Sequence, residues 1–148
     1  MRTRQFALVT LAALAAGNAA HGQDHPWERQ VRDNLHKAAT SLAERGFKES
    51  GPGHVGLLLA QESDSFAVTL PAGRSYALIG VCDDDCAVLD LDLYGAGDTQ
   101  LAAERGTNVP IIRVTPLKTL RYRVKVVMDT CRMNPCWYGL AVLKTEAP

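Results

Sequence analysis

The sequence predicts a mainly β fold: an antiparallel, jelly-roll-like β-sandwich of about eight strands, preceded by one amphipathic helix. Apolar residues recur at helical spacing only as far as Gly46, and from Phe47 onward they alternate with polar residues. The alternating runs are short and are separated by turn-type segments such as 71–73, 95–98 and 106–108. Short strands with hairpin-like turns favour an antiparallel sandwich over a βαβ fold.

The N-terminal segment, residues 1–22, has the three-part pattern of a secretory signal peptide. Arg2 and Arg4 make its start basic, and residues 6–16 are mostly apolar. Cleavage is expected after one of three small residues, Ala19, Ala20 or Gly22. No later apolar run approaches the ~20 residues that span a bilayer. We therefore expect a periplasmic or secreted protein with no membrane span after cleavage.

Net charge argues against a nucleic-acid partner. The 148-residue chain has 16 basic and 16 acidic residues, and removing Arg2 and Arg4 with the leader leaves 14 basic against 16 acidic. Nucleic-acid binding requires a strongly basic surface.

Residues 23–53 are interpreted as an N-terminal helix and a linker, and residues 54–148 as the β-sandwich domain. The helix is predicted over 26–45, beginning at Pro26, a residue suited to the first helical position, and ending before Gly46. Its apolar positions recur at helical spacing: Trp27, Val31, Leu35, Ala38, Ala39 and Leu42. Such a stripe usually faces a core.

Eight strands are predicted, near residues 54–60, 64–70, 74–81, 87–94, 99–104, 109–114, 120–128 and 137–143. The clearest pattern is 120–126, with one apolar face and one face carrying three cations, so one side of its sheet is expected to meet water. Pro110 indicates an edge strand or the start of a strand, because proline cannot donate to a ladder.

All four cysteines lie downstream of the leader, and an exported chain meets an oxidising compartment. Three pairings are available. The favoured pairs are local, Cys82 with Cys86 and Cys131 with Cys136. Crosswise pairing remains open, and it requires both loops at one end of the fold. The spacings do not favour a Cys-x-x-Cys redox motif or a zinc site.

Five aspartates form the candidate metal site. Three of them lie between Cys82 and Cys86, where the clamp forces like charges together, and a cation such as Ca²⁺ would relieve the repulsion. The candidate ligands are Asp83, Asp84, Asp85, Asp90 and Asp92. The other interpretation is a solvated acidic turn in which one aspartate caps backbone N–H groups.

Two tyrosines are candidate binding residues. Trp137 and Tyr138 are adjacent in a predicted strand and must point to opposite faces. An outward Tyr94 beside an outward Tyr138 would form a platform for a sugar or peptide. Alternatively, both tyrosines pack inside the fold.

Motifs for catalysis are lacking. The sequence has no Gly-x-Ser-x-Gly, and paired cysteines leave no thiolate. We therefore predict no enzymatic activity; the alternative is a small secreted hydrolase, or an inhibitor of one, that uses the acidic cluster.

Residues 65–143 resemble the bacterial pre-peptidase C-terminal (PPC) domain, a secreted β-sandwich often appended to exported proteases. The matching segments are residues 66–73 with Tyr76, 90–94, 110–112, 122–126 and 138–140. The cysteine-bracketed loops resemble those of a subgroup of small secreted proteins. The resemblance implies a non-catalytic accessory or binding module for an extracellular or periplasmic protein or glycan, without identifying the ligand.

Overall fold

The computed structural model describes residues 25–146; the expected signal peptide lies outside the described residues. One helix and nine strands follow each other along the chain. Their bounds are α1 Pro26–Ala43, β1 Phe47–Glu49, β2 His54–Leu58, β3 Ser63–Leu70, β4 Tyr76–Cys82, β5 Cys86–Tyr94, β6 Gln100–Thr107, β7 Ile111–Val114, β8 Leu120–Cys131 and β9 Cys136–Thr145. A single 3₁₀ turn at Ala96–Asp98 joins β5 to β6.

The strands form two antiparallel sheets, which confirms the predicted sandwich. The five-stranded sheet has the order β1-β9-β4-β7, and β2 also pairs with β9. The four-stranded sheet has the order β3-β8-β5-β6. β1 and β2 lie along one edge of β9, with Phe47 opposite Thr145 and Val55 opposite Gly139. Since β8 and β5 each have a neighbour on both sides, they are internal strands.

The five-stranded sheet is buried on both faces. In β4, Tyr76 and Leu78 contribute to the core between the sheets, whereas Ala77 and Ile79 contribute to the core under the helix. This explains why β4 is a continuous apolar run rather than an alternating one. The molecule therefore has three layers: helix, five-stranded sheet and four-stranded sheet.

Helix α1 covers the outer face of the five-stranded sheet, as the apolar stripe predicts. Its buried residues are Val31, Leu35, Ala39 and Leu42. The helix approaches β9 closely at Gly139, where an added Cβ would lie 2.6 Å from Leu35 Cδ1. Gly46 ends the helical segment with φ +84°, a conformation that favours glycine.

Each of the eight predicted strands corresponds to an observed strand. The structure adds a ninth strand, β1, within the predicted linker. Its three residues are too few to show an alternating pattern in the sequence. Pro110 directly precedes β7, an edge strand, as predicted.

The inner face of the four-stranded sheet packs against the core, and Asp90 and Asp92 are buried on its outer face. Along β8, Tyr122, Val124 and Val126 face the core, and the alternate residues carry the three predicted cations. No described helix or strand covers the outer face of this sheet.

Candidate functional site

The two disulfide loops lie side by side at one end of the sandwich. Both local bridges form, Cys82–Cys86 and Cys131–Cys136, which confirms the favoured pairing. Cys86 lies directly opposite Cys131 in the β5–β8 pair. The loops are thus close enough to have made crosswise pairing a reasonable alternative, yet each bridge closes its own loop.

Asp83 fastens these loops to each other. Its side chain is buried, and its Oδ1 accepts hydrogen bonds from the backbone N–H groups of Asp85 (3.2 Å) and Cys86 (3.1 Å). Its Oδ2 accepts from the N–H of Trp137 at 2.7 Å. Burial raises the pKa of Asp83, and these backbone hydrogen bonds oppose the rise. Asp83 therefore caps backbone N–H groups, as expected for an acidic turn rather than for a metal ligand.

The five candidate metal ligands are not brought together. The carboxylate of Asp83 is engaged by backbone donors, and Asp84 is exposed. Asp90 and Asp92 lie on the outer face of the four-stranded sheet, where Arg105 contacts both, at 3.8 and 2.6 Å. Within residues 25–146, no group of three or more acidic, histidine or cysteine side chains is placed to hold a metal. This geometry does not favour a calcium site at these five aspartates.

The expected tyrosine platform is not formed. Tyr138 is fully buried between the sheets, and its hydroxyl donates to Asp64 Oδ2 at 2.6 Å. Tyr94 belongs to the other sheet and faces outward, so the expectation of two outward tyrosines side by side was wrong. The alternation of side chains along β9 explains this outcome. Because Trp137 faces the helix, next to His25, the adjacent Tyr138 must face the core between the sheets.

The outer face of the four-stranded sheet carries a row of three cations on β8: Arg121, Arg123 and Lys125. Opposite them on β3 lie three exposed residues with short side chains, Thr69, Ala67 and Ser65, one to each cation. On the other side of β8, Tyr94 is the partner of Arg123. We call these seven residues the basic face. Arg121 is exposed, and Arg123 and Lys125 are half-buried beside these short side chains.

Arg105 contacts both buried acids on the outer face of this sheet. Asp92 lies directly opposite Lys125, but its Oδ1 accepts from Arg105 at 2.6 Å. Asp90 accepts from the backbone N–H of Gly106 at 3.0 Å. Among the described residues, neither Lys125 nor Arg121 has an acidic group within salt-bridge distance.

Arg123, the middle cation, is held in place from two sides. Its guanidinium lies 4.1 Å from the centroid of the Tyr94 ring, a cation–π contact. Asp98 Oδ1 accepts from its Nη2 at 2.9 Å and its Nε at 3.2 Å. An open basin of about 500 Å³ lies here, bounded by Arg121, Arg123, β3 and the 95–98 turn. Its shape suits a ligand that lies across the surface.

A second cavity, of about 360 Å³, opens between β3 and the 50–53 connection. Its floor is Leu140 and Val142, and the ring of His54 lies 4.5 Å from that of Phe66. His54 is the only titratable side chain among the described residues that line it. This cavity lacks the convergent polar groups that fix the orientation of a ligand.

Only part of the basic face could be predicted from the sequence. The alternation of 120–126 already placed three cations on one solvent-facing side. The small β3 residues opposite them, and the capture of Asp90 and Asp92 by Arg105, depend on strand register. Register between strands distant in sequence is not readable from a single chain.

No protein-family model and no curated protein matches the sequence. The resemblance to the PPC domain therefore stays a prediction. Within residues 25–146, no helix combines the length and apolar character needed to cross a bilayer.

Proposed function

We propose that this protein is an exported, non-catalytic binding module that engages an extracellular or periplasmic partner through the basic face. The observation that carries the proposal is the contrast between the two outer faces. Helix α1 covers one sheet, whereas the other sheet presents a cation row that no described element covers. Two disulfides in a small domain are compatible with an extracellular location.

Rigidity also supports a binding role. Arg123 is restrained by both Tyr94 and Asp98, so a partner that contacts its guanidinium has less side-chain entropy to remove. The row stands on an internal strand, and sites built on such elements are more precisely held than sites on loops.

The alternative of a hydrolase, or of an inhibitor that acts through an acidic cluster, receives no support from the site. Glycoside hydrolysis requires two carboxyl groups that flank one cleft. Asp83 is bound by backbone N–H groups at the disulfide end, and Asp92 is paired with Arg105 on the sheet face.

Export is tested with the full chain carrying a C-terminal tag. Fractionation of the producing cells is expected to recover it from the periplasm or medium, shortened by the 1–22 leader. Recovery from the cytoplasm at full length would contradict export.

Binding is tested with the disulfide-bonded protein, residues 23–148, mixed with cell-envelope material. We expect retention of the wild type and loss of retention for Arg121→Glu/Lys125→Glu. The matched control is Lys37→Glu/Arg113→Glu, which reverses two exposed or edge-strand cations on the helix and on β7. Equal retention of the two double variants would contradict the role of the basic face.

A further inference from the structure

The geometry of the basic face points to its ligand class. We infer that it binds a carboxylated polysaccharide, a chain of acidic sugars laid along β8. This inference rests on the proposed function and specifies its partner.

The charges of the basic face set the sign of its ligand. In the described part of the chain, Arg121 and Lys125 form no ion pair; Asp92, which lies opposite Lys125, pairs with Arg105. The complementary ligand is therefore anionic. An arginine guanidinium presents a planar fork of donors that matches a carboxylate with two parallel hydrogen bonds.

The pairing of β8 limits how a ligand can contact the basic face. β8 is paired with β3 on one edge and with β5 on the other, so its backbone cannot pair with an added peptide strand. A ligand on this face must be held by side chains alone. The hydroxyls of Ser65 and Thr69, which stand opposite Lys125 and Arg121, can both donate to and accept from sugar hydroxyls.

The spacing of the row favours an elongated ligand. Residues two apart in a strand are separated by about 6.6–6.8 Å, so the unpaired Arg121 and Lys125 stand about 13 Å apart, with the Asp98-paired Arg123 between them. The basin beside Arg121 and Arg123 is open rather than enclosed. Two unpaired cations spaced along one strand beside an open basin suit an extended polymer that carries charges at intervals.

Single-stranded nucleic acid fits this face less well. Such ligands are held by successive aromatic platforms. The basic face has one aromatic ring, that of Tyr94, and the guanidinium of Arg123 already lies over it.

The test is calorimetric titration of the disulfide-bonded protein, residues 23–148, with polygalacturonate oligomers at low salt. The matched ligand control is the same oligomer with its carboxylates methyl-esterified, which removes the charge and keeps the sugars. We expect binding of the acidic oligomer, at least tenfold weaker binding of the ester, and weakening as salt is raised.

The protein variants locate the contact. Arg121→Ala and Lys125→Ala are each expected to weaken binding about three- to tenfold, equivalent to up to about 1.4 kcal/mol. The controls Arg113→Ala and Lys37→Ala, on other surfaces, should bind within about twofold of the wild type. All four variants should melt close to the wild type, because these side chains are solvent-facing.

Three results would overturn the inference: equal binding of the esterified oligomer, equal loss in the control variants, or no binding of polygalacturonate. Tighter binding of polyglutamate or of oligothymidylate, lost in Arg121→Ala, would also overturn the ligand class. That last outcome would leave the basic face as a binding surface, so the failure of this inference is distinguishable from failure of the proposed function.

Discussion

Replacing Asp83 with alanine tests how the two disulfide loops are held together. The change removes the carboxylate from the N–H groups of Asp85, Cys86 and Trp137. The N–H of Cys86 retains the carbonyl oxygen of Asp83 at 3.2 Å, so it is not left without an acceptor. The other two donors lose a charged acceptor, which costs about 1–3 kcal/mol for each donor left unsatisfied.

The total cost is lower than the sum for two unsatisfied donors, because Asp85 is only half-buried and its N–H can be hydrated when the loop relaxes. We therefore expect Asp83→Ala to reduce the free energy of unfolding by about 2–4 kcal/mol. For a domain of this size that corresponds to a fall in Tm of roughly 8–16 °C. Asp83→Asn should fall between alanine and wild type, since one oxygen is replaced by a donor that faces an N–H group.

The assay is urea and thermal unfolding under non-reducing conditions, so that both disulfides remain intact in every variant. Asp84→Ala is the control. Among residues 25–146, Asp84 is hydrogen-bonded only through its backbone, to Gln30 Oε1 and Arg132 Nη2, so this variant should stay within about 0.5 kcal/mol of the wild type. Equal stability of the Asp83 and Asp84 variants would refute this account of the disulfide end.

Three further predictions concern the core and the acidic residues. Gly139→Ala should destabilise the protein by about 1–3 kcal/mol, because its Cβ would overlap Leu35; adding Leu35→Ala should change stability by less than the two single changes combined. Burial and the Asp64 hydrogen bond raise the pKa of Tyr138. The stability contributed by its protonated hydroxyl is therefore fully present below the ordinary tyrosine pKa near 10 and is lost as pH rises above that value. Tyr138→Phe should remove that alkaline loss in pH-dependent melts, and an unchanged pH profile would contradict the assignment. Millimolar Ca²⁺ should leave Tm unchanged relative to chelator, and a Ca²⁺-dependent rise would restore the metal site.

Much of the architecture was predictable because its signals are local. The apolar stripe of Val31, Leu35 and Leu42 predicts a helix that packs against a core. The alternation of 120–126 predicts a strand in a sheet with one solvent-exposed face. β4 was also found, although it lacks alternation, because turn residues bound its apolar run. The disulfides followed from close spacing within each pair.

The site was less predictable because it depends on which strands are neighbours. Asp90 and Asp92 follow the acidic loop closely in sequence, yet they lie on the sheet face and pair with Arg105. Tyr94 and Tyr138 look equivalent in sequence, but they lie in different sheets and only Tyr94 faces outward. In both cases the prediction treated nearness in sequence, or likeness of residue type, as nearness in space.

The most direct test of the central claim is an NMR titration of the disulfide-bonded protein with polygalacturonate oligomers, following the backbone amides. The basic face predicts shift changes concentrated in β3, β8 and the end of β5, around Arg121, Arg123 and Lys125. Changes concentrated in α1, in the disulfide loops or around His54, or no changes at all, would contradict it.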